Sequence, residues 1–108
     1  MAQSVVIDSY FVGQKPTFTV RFFNTSGALT DPTGVKFITR NPSGTETVYT
    51  LGSSSEVTKT STGIYAFACP QLTAEGSWLL RVNASGALVT SGEASFTVLD
   101  SPFTTPLP

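Results

Sequence analysis

The sequence predicts an all-β domain: an Ig-like antiparallel β-sandwich of seven to nine short strands. Three observations carry that expectation. Apolar and polar residues alternate with a period of two along most of the chain, and no long helical period competes with them. Turn signals recur at roughly 8–12-residue spacing, as in two-sheet sandwiches. Ser and Thr fill 30 of the 108 positions while charged residues make up only 12%, so hydroxyls take the place of charge on the solvent face of a sheet. Eight Phe, three Tyr and one Trp supply a core, and a chain of this length builds one core rather than two.

The elements follow in order. A first strand is expected at residues 5–11 and a second at 15–24, where Phe18, Val20 and Phe22 alternate with Thr17, Thr19 and Arg21. Residues 25–34 hold Ser26-Gly27 and Asp31-Pro32 and read as a loop. A hairpin follows, with strands at 35–40 and 48–51 around Asn41-Pro42-Ser43-Gly44. Residues 56–60 are polar, which suits an edge strand that must discourage pairing with other molecules. Gly63 precedes a strand at 64–69, and 70–76 is a loop with room for one helical turn at most. Trp78, Leu80 and Val82 share one face of a strand at 77–83, opposite Leu79 and Arg81. A turn at Ala84-Ser85-Gly86, a short continuation at 87–90, a break at Gly92 and a closing strand at 94–99 complete the domain. Phe18, Val20, Phe22, Tyr65, Phe67, Trp78, Leu80, Val82, Phe96 and Val98 are expected to share one interior. Gly63, Gly76 and Gly86 flank strands where a positive φ reverses the chain without a Cβ clash.

The chemistry available is narrow. The chain has no histidine and one cysteine, which removes the usual general base, the commonest metal ligand, any Ser-His-Asp or Cys-His arrangement, a zinc site of thiolates and imidazoles, and an intrachain disulfide. The seven carboxylates, Asp8, Asp31, Glu46, Glu56, Glu75, Glu93 and Asp100, never fall within four residues of one another, so no local calcium loop is encoded. A distant pair meeting as a glycosidase dyad needs a cleft that a sandwich this small rarely leaves. No enzyme activity, metal or cofactor is expected. Net charge is −1, and Lys15, Arg21, Lys36, Arg40, Lys59 and Arg81 are scattered, so no basic stripe points to nucleic acid. No apolar run reaches the roughly 18 residues of a membrane span. The N-terminal residues lack the charged and apolar regions of a signal peptide, and the missing cysteine pair agrees with cytosolic synthesis. Cys69 reads as a structural thiol and Trp78 as a core residue rather than a sugar-stacking platform. The sequons at Asn24 and Asn83 carry little weight in a chain so rich in Ser and Thr.

After Asp100 the alternation stops. The domain is read as residues 1–100, with 101–108 a Pro-rich C-terminal arm carrying three prolines. The bland reading of that arm is a frayed terminus. The functional one is an extended segment that orders on a partner, with Phe103 and Leu107 as partner contacts.

The series Asp31-Pro32, Val35-Lys36-Phe37, Asn41-Pro42-Ser43-Gly44, Val48-Tyr49, Thr62-Gly63-Ile64-Tyr65, Gly76-Ser77-Trp78-Leu79-Leu80-Arg81-Val82 and Gly92 through Val98 resembles small Ig-like proteins of tailed-bacteriophage virions. The resemblance spans roughly residues 15–99 and consists of turns and aromatics. It implies a non-enzymatic virion structural protein, most simply a capsid decoration (cement) or head-associated protein. The partner would be the major capsid protein or an adjoining virion protein, and a homo-oligomer is compatible with this. Its place would be the virion after synthesis in the host cytoplasm. The alternative is a carbohydrate- or cell-surface-binding Ig-like module. Attachment is expected through one end of the sandwich or an edge strand, with help from residues 101–108 and from loops 26–34 and 70–76, because the outer sheet faces read as polar.

Overall fold

The computed structural model describes residues 9–86 and 88–100. Within them lie eight strands: β1 (Ser9–Phe11), β2 (Thr17–Arg21), β3 (Gly34–Arg40), β4 (Glu46–Thr50), β5 (Val57–Ser61), β6 (Ile64–Ala68), β7 (Gly76–Ser85) and β8 (Thr90–Leu99). They form a five-stranded sheet in the order β1-β8-β7-β3-β4 and a three-stranded sheet in the order β2-β6-β5. The pairings are antiparallel except that of β1 with β8, which run parallel with Ser9 opposite Thr97 and Phe11 opposite Leu99. β5 is an edge strand, as its polarity predicts.

The alternation turns one side of each strand inward. All ten residues expected in the interior are buried, and Tyr10, Val35, Phe37, Val57, Leu72 and Ala84 join them. Ring contacts tie the two sheets together. Phe18 of β2 stands 5.5 Å from Phe96 of β8, and Phe67 of β6 lies 5.0 Å from Phe37 of β3 and 4.9 Å from Tyr49 of β4. Each fully buried large apolar side chain contributes roughly 1.5–3 kcal/mol, and each ring pair adds about 0.5–1.5 kcal/mol beyond the area it covers. Thr39 is the buried polar residue among those described.

Three expectations need correction. β7 does not stop at Asn83. Ala84 is buried and pairs with both Val35 and Thr90, so the ladder runs on to Ser85. Gly86 makes the turn with φ 87°, where a Cβ would lie 2.1 Å from Thr33 Oγ1. Gly92 does not interrupt the last strand; it pairs with Val82 in unbroken register, and β8 starts at Thr90, with Leu88 and Val89 outside any strand. Residues 71–75 form no helical turn. Leu72 instead bonds across to the β1–β2 connection, its N–H donating to Gln14 O at 3.0 Å and its carbonyl accepting from Gly13 N at 2.8 Å, which draws its side chain into the core.

Candidate functional site

The outer face of the five-stranded sheet carries the surface with most binding character. β3 buries Val35, Phe37 and Thr39 and so turns Lys36, Ile38 and Arg40 outward, while β7 buries Trp78, Leu80 and Val82 and turns out Leu79 and Arg81. Register sets Ile38 between Val48 of β4 and Arg81 of β7. It also sets Arg40 between Glu46 of β4 and Leu79 of β7, and Arg81 beside Glu93 of β8. Val48 is 52% exposed and Leu79 45%, with Ile38 half-buried between them. This corrects the expectation of wholly polar outer faces. Both Phe37-Ile38 and Trp78-Leu79-Leu80 are consecutive apolar residues, and on a pleated strand such a run must put an apolar side chain on each face.

The strip is concave. A depression of about 500 Å³ is lined by residues including Ile38, Arg40, Leu79, Arg81, Glu93 and Ser95. A second, of about 370 Å³, is lined by Arg40, Leu79, Ser77 and the turn Asn41 to Gly44. Arg40 and Leu79 belong to both, so the two form one trough. Its end is a fixed turn: Asn41 Oδ1 accepts from Ser43 N at 3.1 Å, Ser43 Oγ at 2.9 Å and Thr45 N at 2.9 Å. The same bonding recurs at Asn24 with Ser26 and Ala28, on the sequence Asn24-Thr25-Ser26-Gly27.

The trough's two arginines differ in their surroundings. Arg81 Nε donates to Glu93 Oε2 at 2.7 Å, and its Nη2 lies against the same oxygen. An exposed pair of this kind contributes about 0.2–1 kcal/mol. The Arg40 side chain makes no hydrogen bond or ion pair among the described residues. Its Nη2 reaches instead over the turn, 3.8 Å from where a Cβ on Gly44 would sit.

A second polar cluster holds the fold together. Asp31 Oδ1 accepts from Gly63 N at 2.7 Å and from the Tyr65 hydroxyl at 2.9 Å, and its Oδ2 accepts from Lys59 Nζ at 2.7 Å. The Lys59 ammonium and then the Gly63 amide hold its carboxyl at a pKa of about 2. Burial and the same carboxylate push the Tyr65 hydroxyl up to about 12. Every partner is internal, so the cluster clamps the long β2–β3 loop onto the β5–β6 hairpin. Cys69 is free and buried, and burial raises its thiol pKa to about 11. Trp78 is buried and its Nε1 donates to Ala74 O at 2.9 Å. Among the described residues Phe11 is the one exposed aromatic, and no group of His, Cys, Asp and Glu is placed to hold a metal. No helix of the described residues is long and apolar enough to cross a membrane. Phe103 and Leu107 lie outside the described residues.

No family model matches the chain, and no curated protein does. Solved structures do resemble it. The filamin domain of Lin-41 superposes with a TM-score of 0.68 at 17% identity, covering 91% of each chain. CopC from Methylosinus trichosporium OB3b gives 0.65 at 15% identity over 97% of this chain and 100% of its own. The chitinase ChiW of Paenibacillus sp. str. FPU-7, a cell-surface-expressed multi-modular enzyme, gives 0.59 at 17% identity over 89% of this chain and 8% of the enzyme. At these identities the likeness concerns the fold: the chain is an Ig-like β-sandwich.

Proposed function

We propose that this chain is a non-enzymatic structural protein of a tailed-phage virion, a capsid decoration or head-associated protein. In this reading it attaches to the major capsid protein or a neighbouring virion protein through the outer face of the five-stranded sheet. The observation that supports attachment there is the trough and its margin, where Leu79 and Val48 are exposed and Ile38 half-buried beside the pairs Arg81–Glu93 and Arg40–Glu46. Apolar side chains beside fixed charges are what a protein partner covers, the apolar part giving affinity and the charges register. The virion assignment itself rests on the resemblance of the turn and aromatic series to small phage proteins.

The likeness to a small part of a cell-surface enzyme keeps a second reading, a carbohydrate- or cell-surface-binding module. Sugar platforms use exposed rings, and here Trp78 is buried and Phe11 stands alone at the end of the sheet. The test is to add purified protein to particles assembled without it and follow co-sedimentation. Saturable occupancy in fixed stoichiometry that survives high salt is expected. Absence of particle binding, together with glycan-dependent binding by the isolated chain, would replace this reading with the second.

A further inference from the structure

The two charged pairs of the trough are built alike, with arginine on a central strand and glutamate on the flanking one: Arg81 on β7 beside Glu93 on β8, and Arg40 on β3 beside Glu46 on β4. Only the first pair is closed by hydrogen bonds among the described residues. Arg40 makes no ion pair with Glu46 among the described residues and its Nη2 lies over the rim turn, so the trough ends in a guanidinium with an open donor fork next to the exposed Leu79. β3 and β7 are interior strands whose backbone groups already pair on both sides. A partner must therefore be recognised by side chains and not by strand addition. The unengaged Arg40 cation favours an occupant that brings a carboxylate to it.

We infer that the trough binds a protein segment that lays an aliphatic side chain on Leu79 and Ile38 and sets a carboxylate, one or two residues away, on Arg40. This deepens the attachment reading and rests on it for the partner's place in a virion. It does not rest on it for the chemistry. An arginine fork matches a carboxylate in two parallel hydrogen bonds. The two depressions, about 500 and 370 Å³, fall in the range that side-chain groups of a short segment fill.

The experiment uses the full chain and two probe peptides, acetyl-Thr-Leu-Asp-Thr amide and its Asn counterpart, followed by amide chemical shifts. The acidic peptide should shift the amides of Ile38, Arg40, Val48 and Leu79 saturably. The Asn peptide should bind about fivefold more weakly, the usual scale of one charge-assisted contact. Arg40→Gln should erase the difference between the two peptides, and Arg21→Gln, a cation on the other sheet, should preserve it. Equal binding of the two peptides, shifts mapping elsewhere, or no saturable shift would overturn the inference. Particle rebinding separates the two levels. If wild type rebinds and Arg40→Gln rebinds equally well, this inference fails while attachment stands. If wild type does not rebind but the peptides are discriminated, the virion reading fails and the acidic-segment site stands.

Discussion

Gly63→Ala offers a sharp test of how the β5–β6 hairpin meets the loop behind it. Gly63 has φ 72°, a conformation that costs an L-residue about 1–2 kcal/mol. A Cβ there would also lie 2.8 Å from Thr30 N, 2.9 Å from Leu29 Cβ and 3.1 Å from Phe22 O. Two of those neighbours are backbone atoms held by the hydrogen bonds Phe22 N to Gly63 O at 2.8 Å and Thr30 N to Phe22 O at 2.9 Å, so they cannot yield cheaply. Overpacking of this kind adds about 1–3 kcal/mol, giving about 2–5 kcal/mol in all. Gly27→Ala is the matched control: its φ is 84°, yet nothing lies within 4 Å of the added Cβ, so only the conformational cost of about 1–2 kcal/mol applies. Urea unfolding of both variants against wild type measures the difference, and each kcal/mol also moves Tm by roughly 4–8 °C in a domain this small. Equal losses from the two substitutions would show that the contacts around Gly63 are slack and that the loop is not clamped as described.

Other perturbations have defined outcomes. Trp78→Ala should cost about 3–5 kcal/mol by removing a buried ring and leaving a cavity; a silent replacement in denaturant titration would return Trp78 to consideration as a binding platform. Asp31 titrates at about 2 in the fold against an ordinary 3.8, so its contribution is complete above about pH 4 and is lost as pH falls toward 2. Tm measured across that window should fall more steeply in wild type than in Asp31→Asn, and parallel profiles would exclude the clamp. Cys69, buried with a thiol pKa of about 11, should resist a thiol reagent at neutral pH and react on unfolding; fast native labelling would place it at the surface. Truncation after Asp100 should weaken rebinding to particles if Phe103 and Leu107 contact the partner, and unchanged affinity would reject the arm and leave the surface of the domain itself, its loops, edges and sheet face, as the interface.

The core was legible because each strand announces itself locally. Phe18, Val20 and Phe22 need only a period of two to be assigned a common side, and the same holds for Trp78, Leu80 and Val82. What escaped depends on pairs distant in sequence. Leu72 sits in a stretch with no period and is drawn in only because its backbone bonds to residues 13 and 14. Gly92 reads as a break until β7 stands beside it and supplies Val82 as a partner. The Asp31 clamp joins residues 28 to 34 positions apart. In sequence, Asp31-Pro32 signals only a turn and Gly63 only a reversal, and nothing local connects the two.

The trough is only partly legible in the sequence, and for a physical reason. Alternation puts Leu79 on the face opposite Trp78, and Ile38 follows a residue that must point inward, so two exposed apolar positions were implied. Their meeting was not, because it depends on β3 and β7 being neighbours, a long-range choice that alternation does not encode. The same adjacency bears on how the molecule can attach. β5, the polar edge expected to discourage pairing, carries a register shift between Lys59 and Ser61, and its lysine is already bonded to Asp31. A bulged edge with its cation engaged is poorly suited to accept another strand. On the sheet face, apolar area is open and one guanidinium lacks a partner among the described residues, so contact there removes unfavourable hydration without breaking any bond the fold requires.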